Sequence, residues 1–201
     1  MRLIGITGGV GAGKSEILSF IKKHYCCRIY LADEVAHEIQ KPGQICYQKI
    51  TALLGSGILN ADGTIDRGKL ATHIFMNRDV LKQINAIVHP AVRVYLETAV
   101  KEALNDGNVE LFFIEAALLI ENGYNSFVDE MWYVYASEHV RRRRLIDNRG
   151  YSHQKIDQIM KNQLTEEKFR NSSDFVIDNS NSLDQTYEQI KSRLEAYTWL
   201  E

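Results

Sequence analysis

The sequence predicts an α/β fold built around a parallel sheet. An apolar stretch at residues 2–7 leads into a glycine-rich loop at residues 8–15, and a helical pattern of apolar residues follows the loop. Further short apolar stretches, most of them followed by helical patterns, recur along the chain, as expected for parallel strands joined by helices. The length of 201 residues suits one domain, or one domain with an insert.

The glycine-rich loop has the spacing G-x-x-x-x-G-K-S of a phosphate-binding loop. Residues without a Cβ atom turn successive backbone N–H groups into one concave nest, and the helix N-terminus behind the nest adds positive charge. The lysine reaches the outer phosphates and the serine hydroxyl binds Mg²⁺. The predicted ATP-binding residues are Gly8, Gly9, Val10, Gly11, Ala12, Gly13, Lys14, Ser15 and Glu16, and Ser15 is also the predicted Mg²⁺ ligand.

The first helix is predicted from residue 14 to about residue 23, and the second strand over residues 28–31, just before Asp33. In an open parallel sheet ligands bind at the carboxyl ends of the strands, which makes Asp33 a candidate site residue. Its position is equally compatible with the N-cap of the helix that follows.

A stretch of helices without a comparable strand extends over about residues 41–107. Asp66 is predicted to cap a short helix that buries Phe75, and the pair His89-Pro90 is predicted to end one helix and begin another. The stretch is long for a connection between strands, so we expect a separate lobe that covers a substrate.

The remaining strands are predicted at residues 109–114, 131–135 and 175–177. The first of these ends in Glu115, which suits either a Mg²⁺-organising acid or an ordinary surface charge. Four successive arginines at positions 141–144 point around their helix at about 100° per residue, so that at most one or two of them can face a phosphate.

Composition argues against several classes of function. Lys and Arg number 24 against 26 Asp and Glu, which gives no basic field for nucleic acid, and no apolar run is long enough for a membrane span. Three cysteines without a regular spacing indicate a reducing compartment, and we expect a cytoplasmic protein. Without the N-K-x-D signature of a GTPase, a small kinase fits best, with Asp33 at the acceptor hydroxyl.

Several segments together resemble the dephospho-coenzyme A (dephospho-CoA) kinase family nearly end to end. The D-G-x-x-D-R sequence at residues 62–67 and the His89-Pro90 pair are more specific for this family than the phosphate loop. The other matching positions are residues 6–15, 32–33, 41–43, 70, 87–88, 118–121, 144, 163 and 176–179.

The resemblance implies that ATP phosphorylates the ribose 3′-hydroxyl of dephospho-CoA, giving CoA and ADP in the last step of coenzyme A biosynthesis. It implies a P-loop nucleoside-kinase-like core at about residues 1–40 and 108–201, with a five-stranded parallel sheet. A helical CoA-binding insert would occupy about residues 41–107, and a short lid about residues 138–152. The implied catalytic residues are Asp33, Lys14 and Arg144, and the implied substrate-binding residues are His89, Arg67 and Leu118, although His89 suits a helix cap equally well.

The sequence departs from the family pattern at a few positions. Leu31 stands where an acid is common, Glu16 where threonine is common and Ala117 where proline is common. A second lid arginine would fall at Asn148, although an arginine follows it directly. Two alternatives stay open: another small nucleoside or nucleotide kinase, and a nucleotide-binding module that catalyses no transfer.

Overall fold

A computed structural model describes residues 1–197, and the chain divides into two compact units. The first unit contains residues 1–29 and the chain from residue 103 on, and the second contains residues 30–102. Among the described residues, none of the helices is both long enough and apolar enough to cross a membrane.

The described residues form a five-stranded parallel sheet, which confirms the predicted fold class. The strands are β1 (Arg2–Thr7), β2 (Cys27–Leu31), β3 (Leu111–Glu115), β4 (Glu130–Tyr135) and β5 (Phe175–Asp178), and their order in space is β2-β3-β1-β4-β5. The central strand β1 pairs with β3 and β4, and β4 pairs with β5. Parallel pairing brings the carboxyl ends of the strands to one edge of the sheet.

The helices follow the strands as the sequence patterns indicate. They are α1 (Lys14–His24), α2 (Ala32–Glu38), α3 (Ile45–Leu54), α4 (Arg67–Met76), α5 (Arg78–Asp106), α6 (Glu138–Arg149), α7 (His153–Lys161), α8 (Glu166–Asn171) and α9 (Leu183–Glu195). Hydroxyl side chains cap the last four of these, because Ser137, Ser152, Thr165 and Ser182 each accept a hydrogen bond from a backbone N–H of the first turn.

The core of the first unit lies on the two faces of the sheet. Phe112 and Phe113 on β3 and Trp132 on β4 are fully buried, and the Trp132 ring meets the Phe113 ring edge to face at a centroid distance of 5.8 Å. Because a central parallel strand is covered on both faces, adjacent residues are both apolar and no alternation is seen.

The second unit contains α2, α3, α4 and most of α5. Its core includes Cys46 and Ile50 from α3, Ile58 from the following 3-10 turn and Leu96 from α5, all fully buried. Asp66 caps α4 as predicted, since its carboxylate accepts hydrogen bonds from two backbone N–H groups of the first turn.

The predicted helix break at His89-Pro90 is wrong, because α5 runs through Pro90 without interruption. Proline cannot donate a hydrogen bond to the carbonyl four residues earlier, which weakens the helix at this point. Val88 and Val92, however, are both buried, and they continue one apolar stripe across the proline. Burial of that stripe outweighs the missing hydrogen bond.

The prediction that Phe75 faces the interior is also wrong. Its side chain lies near the end of α4 and is 92% exposed, and the neighbouring Met76 is 82% exposed. Leu70, one and a half turns earlier, is buried. The two ends of this ten-residue helix lie in different surroundings, and the periodicity of its apolar residues does not show which end is covered.

Candidate active site

Residues 8–15, the phosphate loop, connect the carboxyl end of β1 to the N-terminus of α1. Gly13 is the N-cap of α1 and has φ 96° and ψ 25°, in the left-handed region. A side chain at Gly13 would clash with the amide nitrogen of Asn179, and one at Gly8 would lie 2.5 Å from the carbonyl oxygen of Val134. The loop can follow this path only because these two residues are glycines.

Two arginines of α6 bind carbonyl oxygens of the phosphate loop. Arg141 donates from Nε to the carbonyl of Val10 at 2.9 Å, and Arg144 donates from Nη1 to the carbonyl of Ala12 at 3.1 Å. Burial lowers the pKa of both guanidinium groups below the ordinary arginine value, but that value is so high that both stay charged. Helix α6 therefore holds one side of the loop through two charged hydrogen bonds.

The backbone N–H groups of Gly11 and Gly13 belong to the same peptide units as the carbonyls of Val10 and Ala12. They point away from the two arginines. In a trans peptide the carbonyl and the next N–H lie on opposite sides, so the arginines fix the direction of both donors. Within residues 1–197, the N–H groups of Gly11, Gly13 and Ser15 form no hydrogen bond with another backbone group. Unpaired donors of this kind at a helix N-terminus are suited to bind phosphate oxygens.

Lys14 lies between two acceptors in the first unit. Its Nζ donates to the carbonyl of Gly8 at 2.8 Å and lies 3.5 Å from Oε1 of Glu115. The side chains of Lys14 and Glu115 are only 14% and 15% exposed. Glu115 is therefore not an ordinary surface charge, and its predicted role in organising Mg²⁺ stays a prediction.

The other two arginines of the run are directed away from the loop. Arg142 pairs with Glu138 at 2.7 Å and with Asp157 at 2.6 Å, and Arg143 is exposed. Two of the four arginines thus contact the phosphate loop, and they contact its carbonyl oxygens. A direct contact between Arg144 and a phosphate stays a prediction.

Asp33 is the second residue of α2, in the second unit. The N-cap of α2 is Leu31, so the interpretation of Asp33 as the helix cap is wrong. The side chain of Asp33 is exposed, and among the described residues its carboxylate forms no hydrogen bond or ion pair. Asp33 is available to a ligand, although its catalytic role stays a prediction.

The three predicted substrate-binding residues lie in different surroundings. Arg67 is the first residue of α4 and lines a cavity of the second unit of about 550 Å³. His89 is half-buried in the middle of α5, where it cannot act as a helix cap. Leu118 follows β3 in the first unit and is 47% exposed. Their contacts with a substrate stay predictions.

Comparison with protein-family models decides the assignment of this chain. Residues 2–185 match the model described as Dephospho-CoA kinase. The chain belongs to the dephospho-CoA kinase family. A dephospho-CoA kinase from Carboxydothermus hydrogenoformans is 36% identical over 197 residues, which cover 98% of this chain and 95% of that protein. Membership of the family implies a kinase that uses ATP.

Solved structures agree with this assignment at the level of the fold. The structure of TT1252 from Thermus thermophilus is similar with a TM-score of 0.80 and 28% identity, over 98% of both chains. A dephospho-CoA kinase from Campylobacter jejuni has a TM-score of 0.74 and 23% identity over the full length of both chains. Because the Campylobacter jejuni structure is only 23% identical to this chain, its similarity shows that the two proteins share a fold and nothing further.

The residues beside the loop fit the magnesium ion that accompanies ATP in kinases. Ser15 is exposed at the start of α1 and carries a hydroxyl oxygen, the kind of ligand that Mg²⁺ takes together with phosphate oxygens and waters. In the part of the chain that the structure describes, no group of three His, Cys, Asp or Glu side chains forms a metal site. A dephospho-CoA kinase that brings Mg²⁺ in with ATP needs no such cage.

Three residues that support the loop were missed by the sequence analysis. Asn179 is 1% exposed and donates from Nδ2 to the carbonyl of Ala12 at 2.8 Å, and Gln163 accepts a hydrogen bond from Arg141. The third residue is Arg141, which the sequence did not distinguish from the next arginines of the run at positions 141–144. Gln163 and Asn179 lie in segments that resemble the dephospho-CoA kinase family, but nothing local in the sequence indicates that Asn179 contacts the loop or that Gln163 contacts Arg141.

Proposed function

We propose that this protein transfers the γ-phosphoryl group of ATP to the ribose 3′-hydroxyl of dephospho-CoA. The products are CoA and ADP, and the reaction is the last step of coenzyme A biosynthesis. The observation that carries the proposal is the match of residues 2–185 to the family model. The geometry of the phosphate loop supports the donor half of the reaction.

The donor phosphates bind at the phosphate loop. The N–H groups of Gly11, Gly13 and Ser15 donate to phosphate oxygens, and the N-terminus of α1 adds its partial positive charge. Lys14 leaves the carbonyl of Gly8 to contact the outer phosphates. The Ser15 hydroxyl would hold Mg²⁺ when ATP is bound, and the ion would supply further positive charge.

Asp33 accepts the proton of the acceptor hydroxyl. As the hydroxyl oxygen bonds to the γ-phosphorus, the bond from that phosphorus to the bridging oxygen breaks, and ADP leaves with the electron pair of that bond. The hydroxyl proton passes to the Asp33 carboxylate, which is exposed on α2. Lys14 and Arg144 offset the charge that develops on the transferring group.

The test is acceptor-dependent release of ADP from Mg-ATP. We expect rapid release with dephospho-CoA and little with AMP, CMP or uridine. Preference for one of those three would favour another small kinase. ATP binding without release on any acceptor would favour a non-catalytic nucleotide-binding module.

Lys14→Ala tests the donor site in the same assay. Lys14→Ala removes the one lysine of the phosphate loop and leaves Arg144 alone to offset the charge on the transferring group, and we expect ADP release to fall to the background without acceptor. Lys22→Ala, an exposed lysine in the last turn of α1, is the matched control and should keep full activity.

A further inference from the structure

The second unit contains a cavity whose function no comparison assigns. It has a volume of about 550 Å³, within the range of small-molecule sites, and all of its lining residues belong to the second unit. Three of them carry an imidazole, ammonium or guanidinium group: His37 on α2, Lys41 just after α2 and Arg67 at the start of α4.

The charges of the cavity favour an anion. Of the lining residues, all within the described chain, Asp66 carries the one carboxylate, and its Oδ1 accepts hydrogen bonds from the backbone N–H groups of Gly68 and Lys69. Arg67 and Lys41 therefore leave a net positive charge.

Arg67 is the cation that is available to a ligand. Among residues 1–197 its guanidinium group forms no hydrogen bond or ion pair. Lys41 pairs with Glu38 at 2.5 Å, but the two side chains are 63% and 47% exposed, and an exposed pair of this kind contributes little to stability. A guanidinium group binds two phosphate oxygens at once, and a nearby ammonium group adds a point charge.

The position of the cavity on α2 indicates which anion it takes. His37 lies four residues after Asp33, so both side chains lie on one face of α2 about 6 Å apart along the axis. In dephospho-CoA the same ribose carries the 3′-hydroxyl and, through its 5′-carbon, the diphosphate. A hydroxyl held at Asp33 therefore places a diphosphate within reach of the next turn of the helix.

We propose that the cavity lined by His37, Lys41 and Arg67 binds the diphosphate of the acceptor. The proposal rests on the proposed function, because it takes Asp33 as the group at the acceptor hydroxyl. Arg67 and Lys41 bind the phosphate oxygens, and His37 donates a hydrogen bond from its ring. The cavity then selects a ribose with a 5′-diphosphate and positions its 3′-hydroxyl at Asp33.

The test compares Arg67→Ala and Lys41→Ala with matched controls. Arg78→Ala removes an exposed arginine of the same unit outside the cavity, and Lys82→Ala removes a lysine that forms the same kind of exposed pair, with Asp79 three residues before it. We expect the KM for dephospho-CoA to rise about 10- to 100-fold in Arg67→Ala and less in Lys41→Ala. The KM for ATP of these two variants should stay within about twofold of the wild-type value. In the two control variants, the KM for dephospho-CoA and the KM for ATP should both stay within the same range.

Adenosine has the 3′-hydroxyl but no diphosphate. Its competition with dephospho-CoA therefore tests whether the cavity binds the diphosphate or another part of the acceptor. Its inhibition constant against dephospho-CoA should not change in Arg67→Ala. An unchanged KM for dephospho-CoA, or an equal loss of adenosine affinity, would overturn the assignment of the cavity while the wild-type enzyme still releases ADP. A wild-type enzyme that releases none with dephospho-CoA would contradict the proposed function itself.

Discussion

At the residue scale, Lys14 shows how a positive charge is held beside the phosphate loop. Its ammonium group contacts a loop carbonyl and lies beside Glu115, at the end of the neighbouring strand β3. An incoming phosphate competes with these two acceptors for the lysine. Because Lys14 and Glu115 are both largely buried, their pairing keeps the charge of Lys14 close to the loop.

Asp33→Asn tests the proposed proton acceptor. Asparagine keeps the size of the side chain but cannot accept the proton at neutral pH, so we expect kcat to fall by about 10²–10⁴ with the KM for ATP little changed. Steady-state ADP release measures both constants. Glu34→Gln, the adjacent exposed acid in the first turn of α2, is the control, and a kcat of Asp33→Asn equal to that of the control would exclude Asp33 from proton transfer.

At the scale of elements, the phosphate loop is held by the helix after β4 and by the residue after β5. Arg141 and Arg144 reach it from α6, and Asn179 reaches it from the end of β5. Arg144 also donates to the carbonyl of Asn179 at 2.9 Å, so the two supports are joined. The conformation of the loop therefore depends on segments more than 130 residues away in the chain.

Asn179→Ala tests this support. The variant leaves the carbonyl of Ala12 with one donor fewer and removes an acceptor of the Thr186 hydroxyl, which should lower the free energy of unfolding by about 1–3 kcal/mol. A loosened loop should also raise the KM for ATP several-fold, while the KM for dephospho-CoA stays unchanged.

The control for this variant is Asn181→Ala, two residues along the same turn and exposed. Thermal unfolding and steady-state kinetics compare the two variants. If Asn179→Ala matched Asn181→Ala in melting temperature and in the KM for ATP, the hydrogen bond to the loop would not support nucleotide binding.

At the scale of the whole molecule, a buried carboxylate joins three parts of the first unit. Glu130 on β4 is 3% exposed and accepts hydrogen bonds from Trp132, from Arg2 on β1, from Arg193 on α9 and from Tyr197. Burial alone would raise the pKa of Glu130, but the four donors outweigh burial and hold the pKa below the ordinary value of 4.5.

The lowered pKa predicts acid sensitivity of the fold. A carboxyl group with a lowered folded pKa stabilises the protein above its ordinary pKa, and this stabilisation is lost as the pH falls through the folded value. In Glu130→Gln we expect the free energy of unfolding to fall at pH 7 by about 3 kcal/mol, because two arginines lose a buried partner. The further loss between pH 7 and pH 3 should be smaller than in the wild type.

Denaturant unfolding at several pH values measures both effects. Glu110→Gln, an exposed acid just before β3, is the control and should follow the wild type over the whole range. Equal loss of stability on acidification in Glu130→Gln and in the wild type would assign the acid sensitivity to other carboxyl groups.

The elements that the sequence predicted well are those whose signal is local. The apolar stretch before the loop and the cap at Asp66 lie within a few residues of the structure they specify. The predictions were wrong at positions where tertiary packing overrides the local sequence signal. Pro90 breaks a helix locally, but the buried stripe of α5 continues across it, and the exposure of Phe75 depends on what packs against α4.

Periodicity and spacing in the sequence are enough to predict the α/β class and the phosphate loop, and matching segments carry the family resemblance that the family model confirms. The folded structure was needed to show which of four adjacent arginines contact the loop, that Glu115 lies beside Lys14, and that Arg67 lines a cavity with His37 and Lys41. The reason is physical. These contacts join residues that the chain keeps far apart, and their geometry exists only after the strands and helices have packed.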